Sequence, residues 1–136
     1  MHYQESVMML TKPRFLNMII HLPYPIPLNR VYRNFHGIMV MSPEAKKWKK
    51  YAGLQAMAAG VRKISGAVAI TITLHPRSNK DGTASKIRVD IDSCAKLLLD
   101  SLNGIAYEDD AQVEYLVQKL GAPCTDGGLT VELKEI

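Results

Sequence analysis

Apolar and polar positions alternate in several short segments of the chain. Residues 68–74, VAITITL, alternate in this way and are rich in β-branched side chains, which is typical of a strand. Five other short apolar segments also predict strands: 18–22, 31–33, 38–41, 113–120 and 129–134. The segments 31–33 and 38–41 flank a turn, as in a hairpin. Between the segments 18–22 and 31–33, three prolines exclude a helix or a central strand and predict an extended loop: Pro23, Pro25 and Pro27.

Two segments predict helices. The first begins at Ser42-Pro43-Glu44, where a hydroxyl, a proline and an acid each favour a helix start, and it extends to about Ala59 before Gly60. The second runs from Ile91 to Leu102, where apolar residues recur on one helical face. The pattern therefore predicts an α/β domain of the α+β type, with a mixed sheet of about five strands and two main helices.

The length and composition indicate one soluble globular domain. The chain has 136 residues, of which 47% are apolar. Residues 1–17 show no clear period and are interpreted as an N-terminal tail, which leaves 18–136 as the domain. The apolar runs are far shorter than the ~20 residues of a membrane helix, and the first residues lack the features of a signal peptide, so a cytoplasmic location is expected.

Several classes of site are disfavoured. Two cysteines are too few for a disulfide scaffold, and the scattered histidines and cysteines do not suggest a structural zinc. The glycine-rich motifs that bind nucleotide cofactors are absent from the sequence.

The net charge of +4 conceals a strong asymmetry. Residues 1–89 hold fourteen Lys and Arg against three acids, whereas residues 90–136 hold three Lys against ten acids. Part of the basic excess lies in a long polar loop, 75–89, and a loop of this length within a small domain is usually functional or mobile. The asymmetry indicates a polyanionic partner.

Acidic side chains begin where the charge changes sign. Asp90 and Asp92 flank an apolar residue at the start of the second predicted helix, Lys96 follows on the same predicted helical face, and Asp110 lies in the loop after the helix. If the three carboxylates converge, they need a cation, and hard oxygen ligands suit Mg²⁺ or Mn²⁺. Carboxylates, a divalent metal ion and a lysine are suited to phosphodiester hydrolysis.

A purely structural interpretation of these acids stays open. Aspartates are common helix caps, so capping alone is an alternative explanation of Asp90 and Asp92. Lys96 is then a surface partner of Asp92, and Asp109 and Asp110 form a solvated turn.

Two sequence blocks resemble one protein family. The first is LPYPIPLNRVYR at 22–33, and the second is DIDSCAKLLLDSLNG at 90–104, followed by DDAQV at 109–113. In order and spacing they are similar to the motifs of the RusA-type Holliday-junction resolvases, small dimeric endonucleases of prophages and bacteria. One departure lies within the second block, where Ser93 occupies the position of a family asparagine.

The resemblance implies a catalytic site and a reaction. Asp90, Asp92 and Asp110 are the implied ligands of a catalytic Mg²⁺, with Mn²⁺ as a substitute, and Lys96 is implied at the scissile phosphate. The implied enzyme is a homodimer that resolves four-way DNA junctions in recombination and repair. It makes paired symmetric nicks with 5′-phosphate and 3′-hydroxyl ends.

Polar and basic residues are candidates for contact with the DNA backbone. They are Asn29, Arg30, Arg33, Arg77, Lys80, Lys86 and Arg88. Aromatic residues are candidates for stacking on unpaired bases, although packing is favoured for Trp48. They are Tyr24, Tyr32, Phe35 and Trp48. Three other functions stay open: a junction-binding protein without cleavage activity, a nuclease for a broader range of branched nucleic acids, and a structural domain.

Overall fold

The computed structural model describes residues 17–136, so the predicted tail lies outside the described residues except for Asn17. The described chain forms six strands and two α-helices: β1 (Met18–Leu22), β2 (Tyr32–Phe35), β3 (Ile38–Met41), α1 (Pro43–Ala58), β4 (Val68–His75), α2 (Ala95–Ser101), β5 (Val113–Leu120) and β6 (Gly128–Glu135). The α+β class with a mixed sheet is confirmed.

The main sheet has four strands in the order β1-β6-β4-β5. The β1–β6 and β6–β4 pairs are antiparallel, whereas β4 and β5 are parallel neighbours. The β2–β3 hairpin forms at the predicted place but pairs as a separate two-stranded sheet. The main sheet therefore has one strand fewer than the predicted number of about five, and the two hairpin strands form a sheet of their own.

Alternation along the strands directs one face of the sheet into the core. Ile70, Ile72 and Leu74 on β4 are at most 2% exposed, and both helices contribute to the same hydrophobic core. The buried face of α1 consists mainly of small residues, with Trp48 as its largest side chain. This core supports the two helices that flank the candidate site.

The start of α1 agrees with its sequence signals. The Ser42 hydroxyl accepts a hydrogen bond from the Ala45 N–H at 3.1 Å, and Gly60 just beyond the helix adopts a φ of +76°. The capping interaction fixes the direction in which α1 leaves the hairpin.

The second helix is shorter than predicted. Residues Ile91–Ser93 form a 3-10 turn, and α2 begins only at Ala95. The Ser93 hydroxyl donates to the Asp90 carbonyl at 2.8 Å, which favours a tight local turn over a continuous α-helix. Asp92 consequently does not lie on α2.

The connection from β4 to β5 carries most of the candidate residues. It contains in order a loop that we call the basic loop (76–89), the Ile91–Ser93 turn, α2, and a loop that we call the acidic loop (102–112). The Ile91–Ser93 turn packs against β5. Within residues 17–136, the structure has no helix that is long and apolar enough to span a bilayer.

Candidate active site

A wide groove of about 1150 Å³ runs along one side of the domain. Its walls are the proline-rich loop 23–30, the outer side of α1 and the end of the basic loop. Asp90 and Asp92 line this groove together with Arg30, Arg77 and Arg88. A surface that combines cations with exposed carboxylates suits a phosphate-bearing ligand and a metal ion together.

Tyr24 connects the walls of the groove. Its carbonyl accepts a hydrogen bond from the Trp48 indole N–H at 3.0 Å, and its hydroxyl accepts one from the Val89 N–H at 2.9 Å. The Arg77 guanidinium lies 3.9 Å from the centre of its ring. Tyr24 therefore joins the proline-rich loop to α1 and to Val89, the residue of the basic loop immediately before Asp90.

Asp90 and Asp92 are exposed and available for ligation. Asp90 occupies the cap position of the Ile91–Ser93 turn, but its side chain makes no capping hydrogen bond. Its main-chain carbonyl accepts from both the Ser93 N–H at 3.0 Å and the Ser93 hydroxyl. Ser93 therefore holds the backbone of the turn, and capping does not explain the Asp90 carboxylate.

A second group of charged residues lies on and after α2. The Lys96 ammonium forms an ion pair with Asp100 at 3.4 Å. Lys96 and Asp92 do not share a helical face as predicted, because Asp92 precedes α2. The Asp100 carboxylate raises the pKa of Lys96, with a smaller contribution from Asp110. Asp100 thus belongs to this group, although sequence reasoning did not select it. Its position one helical turn after Lys96 was the available signal.

Asp110 lies among other carboxyl groups. The Asp109 carboxyl, partial burial and the Asp100 carboxyl each raise the pKa of Asp110. Like charges at close range disfavour simultaneous ionisation, and a bound cation would relieve this repulsion.

Asp109 has a structural role in the same loop. Its carboxylate accepts from the Ala111 N–H at 2.8 Å and lowers its own pKa by doing so. Gln112 completes the cap by accepting from the Asp109 N–H at 3.2 Å, and its side-chain oxygen also accepts from the Glu108 N–H at 2.8 Å. The cap explains Asp109, whereas the Asp110 carboxylate takes no part in it.

The predicted metal ligands fall into these two groups. Asp90 and Asp92 line the groove, while Asp110 interacts with Asp100 and Asp109. Within the part of the chain that the structure describes, no three acidic, histidine or cysteine side chains converge closely enough to hold a metal ion. The ligand set Asp90, Asp92 and Asp110 therefore stays a prediction.

The predicted DNA-binding residues divide into those that line the groove and those that do not. Four of them line the groove: Asn29, Arg30, Arg77 and Arg88. The other three lie outside it, on the β2–β3 hairpin or in the basic loop: Arg33, Lys80 and Lys86. Arg30 also forms an ion pair with Glu44 at the start of α1, and both residues line the groove.

The aromatic candidates differ in their accessibility. Trp48 is only 7% exposed, so the preference for packing over base stacking is confirmed. Tyr24 already stacks against Arg77, whereas Phe35 on the hairpin is exposed. Tyr51, which was not a candidate, is exposed in the groove wall.

The two cysteines are expected to differ in reactivity. Cys94 is 2% exposed beside the Ile91–Ser93 turn, and burial raises its pKa to about 11, whereas Cys124 is exposed. In the native protein, a disulfide reagent such as DTNB should therefore modify Cys124 readily and Cys94 only after unfolding. A Cys124→Ser variant serves as the control, and rapid labelling of that variant in its native state would contradict the described packing of Cys94.

A comparison with protein families matches most of the domain. The family model described as endodeoxyribonuclease RusA matches residues 23–134, from the proline-rich loop to the last strand. The matched range includes the groove, the Asp90–Asp92 turn, α2 and the acidic loop. No curated protein matches the chain. The family match establishes that the chain belongs to the RusA family of endodeoxyribonucleases.

Proposed function

We propose that this protein is a Mg²⁺-dependent, structure-selective endonuclease that resolves Holliday junctions. Membership of the RusA family supports DNA as the substrate and a phosphodiester as the bond that is hydrolysed. The observation that carries the proposal is the groove, in which Asp90 and Asp92 lie exposed beside Arg30, Arg77 and Arg88. The arginines attract the DNA backbone, and the two carboxylates are candidate ligands of the catalytic metal ion.

The chemistry of the donor set suits a hard divalent cation, although the three carboxylates do not converge within the described chain. The candidate ligands Asp90, Asp92 and Asp110 offer only carboxylate oxygens, which Mg²⁺ prefers and Mn²⁺ also accepts. The raised pKa of Asp110 reflects neighbouring carboxyl groups that a cation would neutralise. A divalent ion held by these carboxylates would activate water for attack on the phosphodiester and would stabilise the charge on the leaving oxygen.

The remaining residues of the site position the substrate. Arg77 and Arg88 lie on the groove beside the Asp90–Asp92 turn, where they can bind phosphates of the strand to be cut. Lys96 is proposed at the scissile phosphate, with Asp100 holding its ammonium group through the 3.4 Å ion pair. Because Asp100 also lies near Asp110, it links the lysine to the third candidate ligand.

Paired cuts require two active sites on one junction. We propose a homodimer that makes symmetric nicks and leaves 5′-phosphate and 3′-hydroxyl ends. The ends can be checked by sealing the products with DNA ligase, and the dimer by sedimentation of the protein in solution.

The test is cleavage of a synthetic four-way junction with Mg²⁺ and with EDTA. We expect paired nicks only with Mg²⁺, little cutting of linear duplex, and binding that weakens steeply as salt is raised. Equal cleavage of flaps, forks or RNA would instead indicate a broader nuclease. Junction binding without any metal-dependent product would indicate a binding protein that lacks cleavage activity.

A further inference from the structure

Ile87 is an unusually exposed apolar residue beside the candidate site. It is 86% exposed, more than any other large apolar side chain that is exposed within residues 17–136. It lines the same groove as Asp90 and stands three residues before it. Single exposed apolar side chains are common on protein surfaces, and Ile87 is distinguished by its place in the groove close to the candidate metal ligands.

The backbone on both sides of Ile87 is held in place. The Ser85 hydroxyl accepts from the Ile87 N–H at 3.1 Å, and the Ser85 N–H donates to the Arg77 carbonyl at 2.8 Å. On the other side, Val89 is only 8% exposed, and its N–H donates to the Tyr24 hydroxyl. The side chain of Ile87 is therefore presented from an anchored loop.

The immediate surroundings of Ile87 are cationic. Lys86 and Arg88 flank it in the sequence, and Arg77 and Arg30 line the same groove. A protein-binding site typically offers an apolar patch with few charges, whereas Ile87 stands between two cations, and the other exposed apolar residues of the groove, Leu28 and Tyr51, share it with three arginines. That arrangement matches nucleic acid, in which phosphates border the stacked bases. Single aliphatic side chains are used in this way as wedges between base steps.

We propose that Ile87 inserts against the bases at the branch point of the DNA and thereby determines the preference for branched over linear DNA. The inference rests on the proposed nuclease function of the same groove. Unstacking a base step in linear duplex costs a few kcal/mol, whereas at a branch point stacking is already interrupted and insertion is easier. Ile87 is thus proposed as a specificity residue, distinct from the carboxylates that cut.

The inference is tested with junctions that carry 2-aminopurine at the branch point, with protein bound in EDTA so that cleavage is excluded. Wild-type protein should raise the fluorescence, since insertion unstacks the probe. Ile87→Ser should abolish the rise and reduce the ratio of junction to duplex affinity roughly tenfold or more, the effect expected from losing the burial of one aliphatic side chain. Ile87→Met should preserve both the fluorescence rise and the affinity ratio because methionine is also a long apolar side chain.

Ile19→Ser is the matched control, since Ile19 is 50% exposed on β1 and does not line the groove. It should behave as the wild type. A full rise in fluorescence with Ile87→Ser, or an unchanged affinity ratio, would overturn the role of Ile87. If wild-type protein cuts junctions but does not raise the 2-aminopurine fluorescence, the insertion of Ile87 is overturned and the proposed nuclease function stands. If wild-type protein neither binds nor cuts junctions, the proposed function itself is contradicted.

Discussion

Replacing Asp92 with asparagine is expected to abolish cleavage of a four-way junction while leaving binding intact. Asp92 is exposed in the groove, where its carboxylate is a candidate metal ligand. Cleavage should fall by roughly a hundredfold or more, since loss of even an outer hydrogen-bond partner of a metal ligand costs about 10- to 100-fold. Binding should persist or strengthen because removal of a negative charge reduces repulsion of phosphate.

The measurement pairs a cleavage time course with an affinity titration in EDTA. Asp126→Asn is the matched control, since Asp126 is an exposed acid that does not line the groove. Thermal unfolding of both variants should match the wild type. If Asp92→Asn cuts the junction at the wild-type rate, Asp92 has no part in catalysis and the proposed metal site is wrong.

Replacing Leu98 with alanine is expected to destabilise the whole domain. Leu98 is fully buried on α2, the helix that joins the Asp90–Asp92 turn to the acidic loop. Truncating a buried leucine to alanine reduces the apolar surface that folding removes from water, and it leaves a cavity. Together these two effects lower the free energy of unfolding by about 2–5 kcal/mol. Because small domains have about 5–15 kcal/mol in total, this change should lower the urea midpoint clearly.

Leu54→Ala provides the comparison for Leu98→Ala. Leu54 is 55% exposed on α1, so the same chemical change there should alter the unfolding free energy by less than about 1 kcal/mol. Both variants are unfolded in urea at one protein concentration, since association would make stability depend on concentration. Equal losses at the two positions would show that α2 does not pack as described.

The regular elements could be predicted from local sequence because their signals are local. Alternation in β4 and the Ser42-Pro43 start of α1 both correspond to what the structure contains. The break before α2 was missed, since the apolar spacing continues through Ile91 even though the Ser93 hydroxyl closes a tight turn. A competing side-chain hydrogen bond of this kind is invisible to periodicity.

The candidate site was predicted less completely because its contacts are tertiary. The interaction of Asp110 with Asp100 depends on how the acidic loop folds back on α2. There the Tyr107 hydroxyl donates to the Leu99 carbonyl at 2.7 Å. Likewise, Tyr24 and Val89 are 65 positions apart, and nothing local in either segment indicates their contact.

The connections made by Tyr24 have a consequence for the kinetics of DNA association. Long loops usually have to be ordered when a ligand binds, which slows association and reduces affinity. Here the proline-rich loop and the end of the basic loop are already tied to α1 through one tyrosine. The encounter with DNA should therefore be limited by diffusion and ionic strength, with no slow closing step before the strand reaches Asp90.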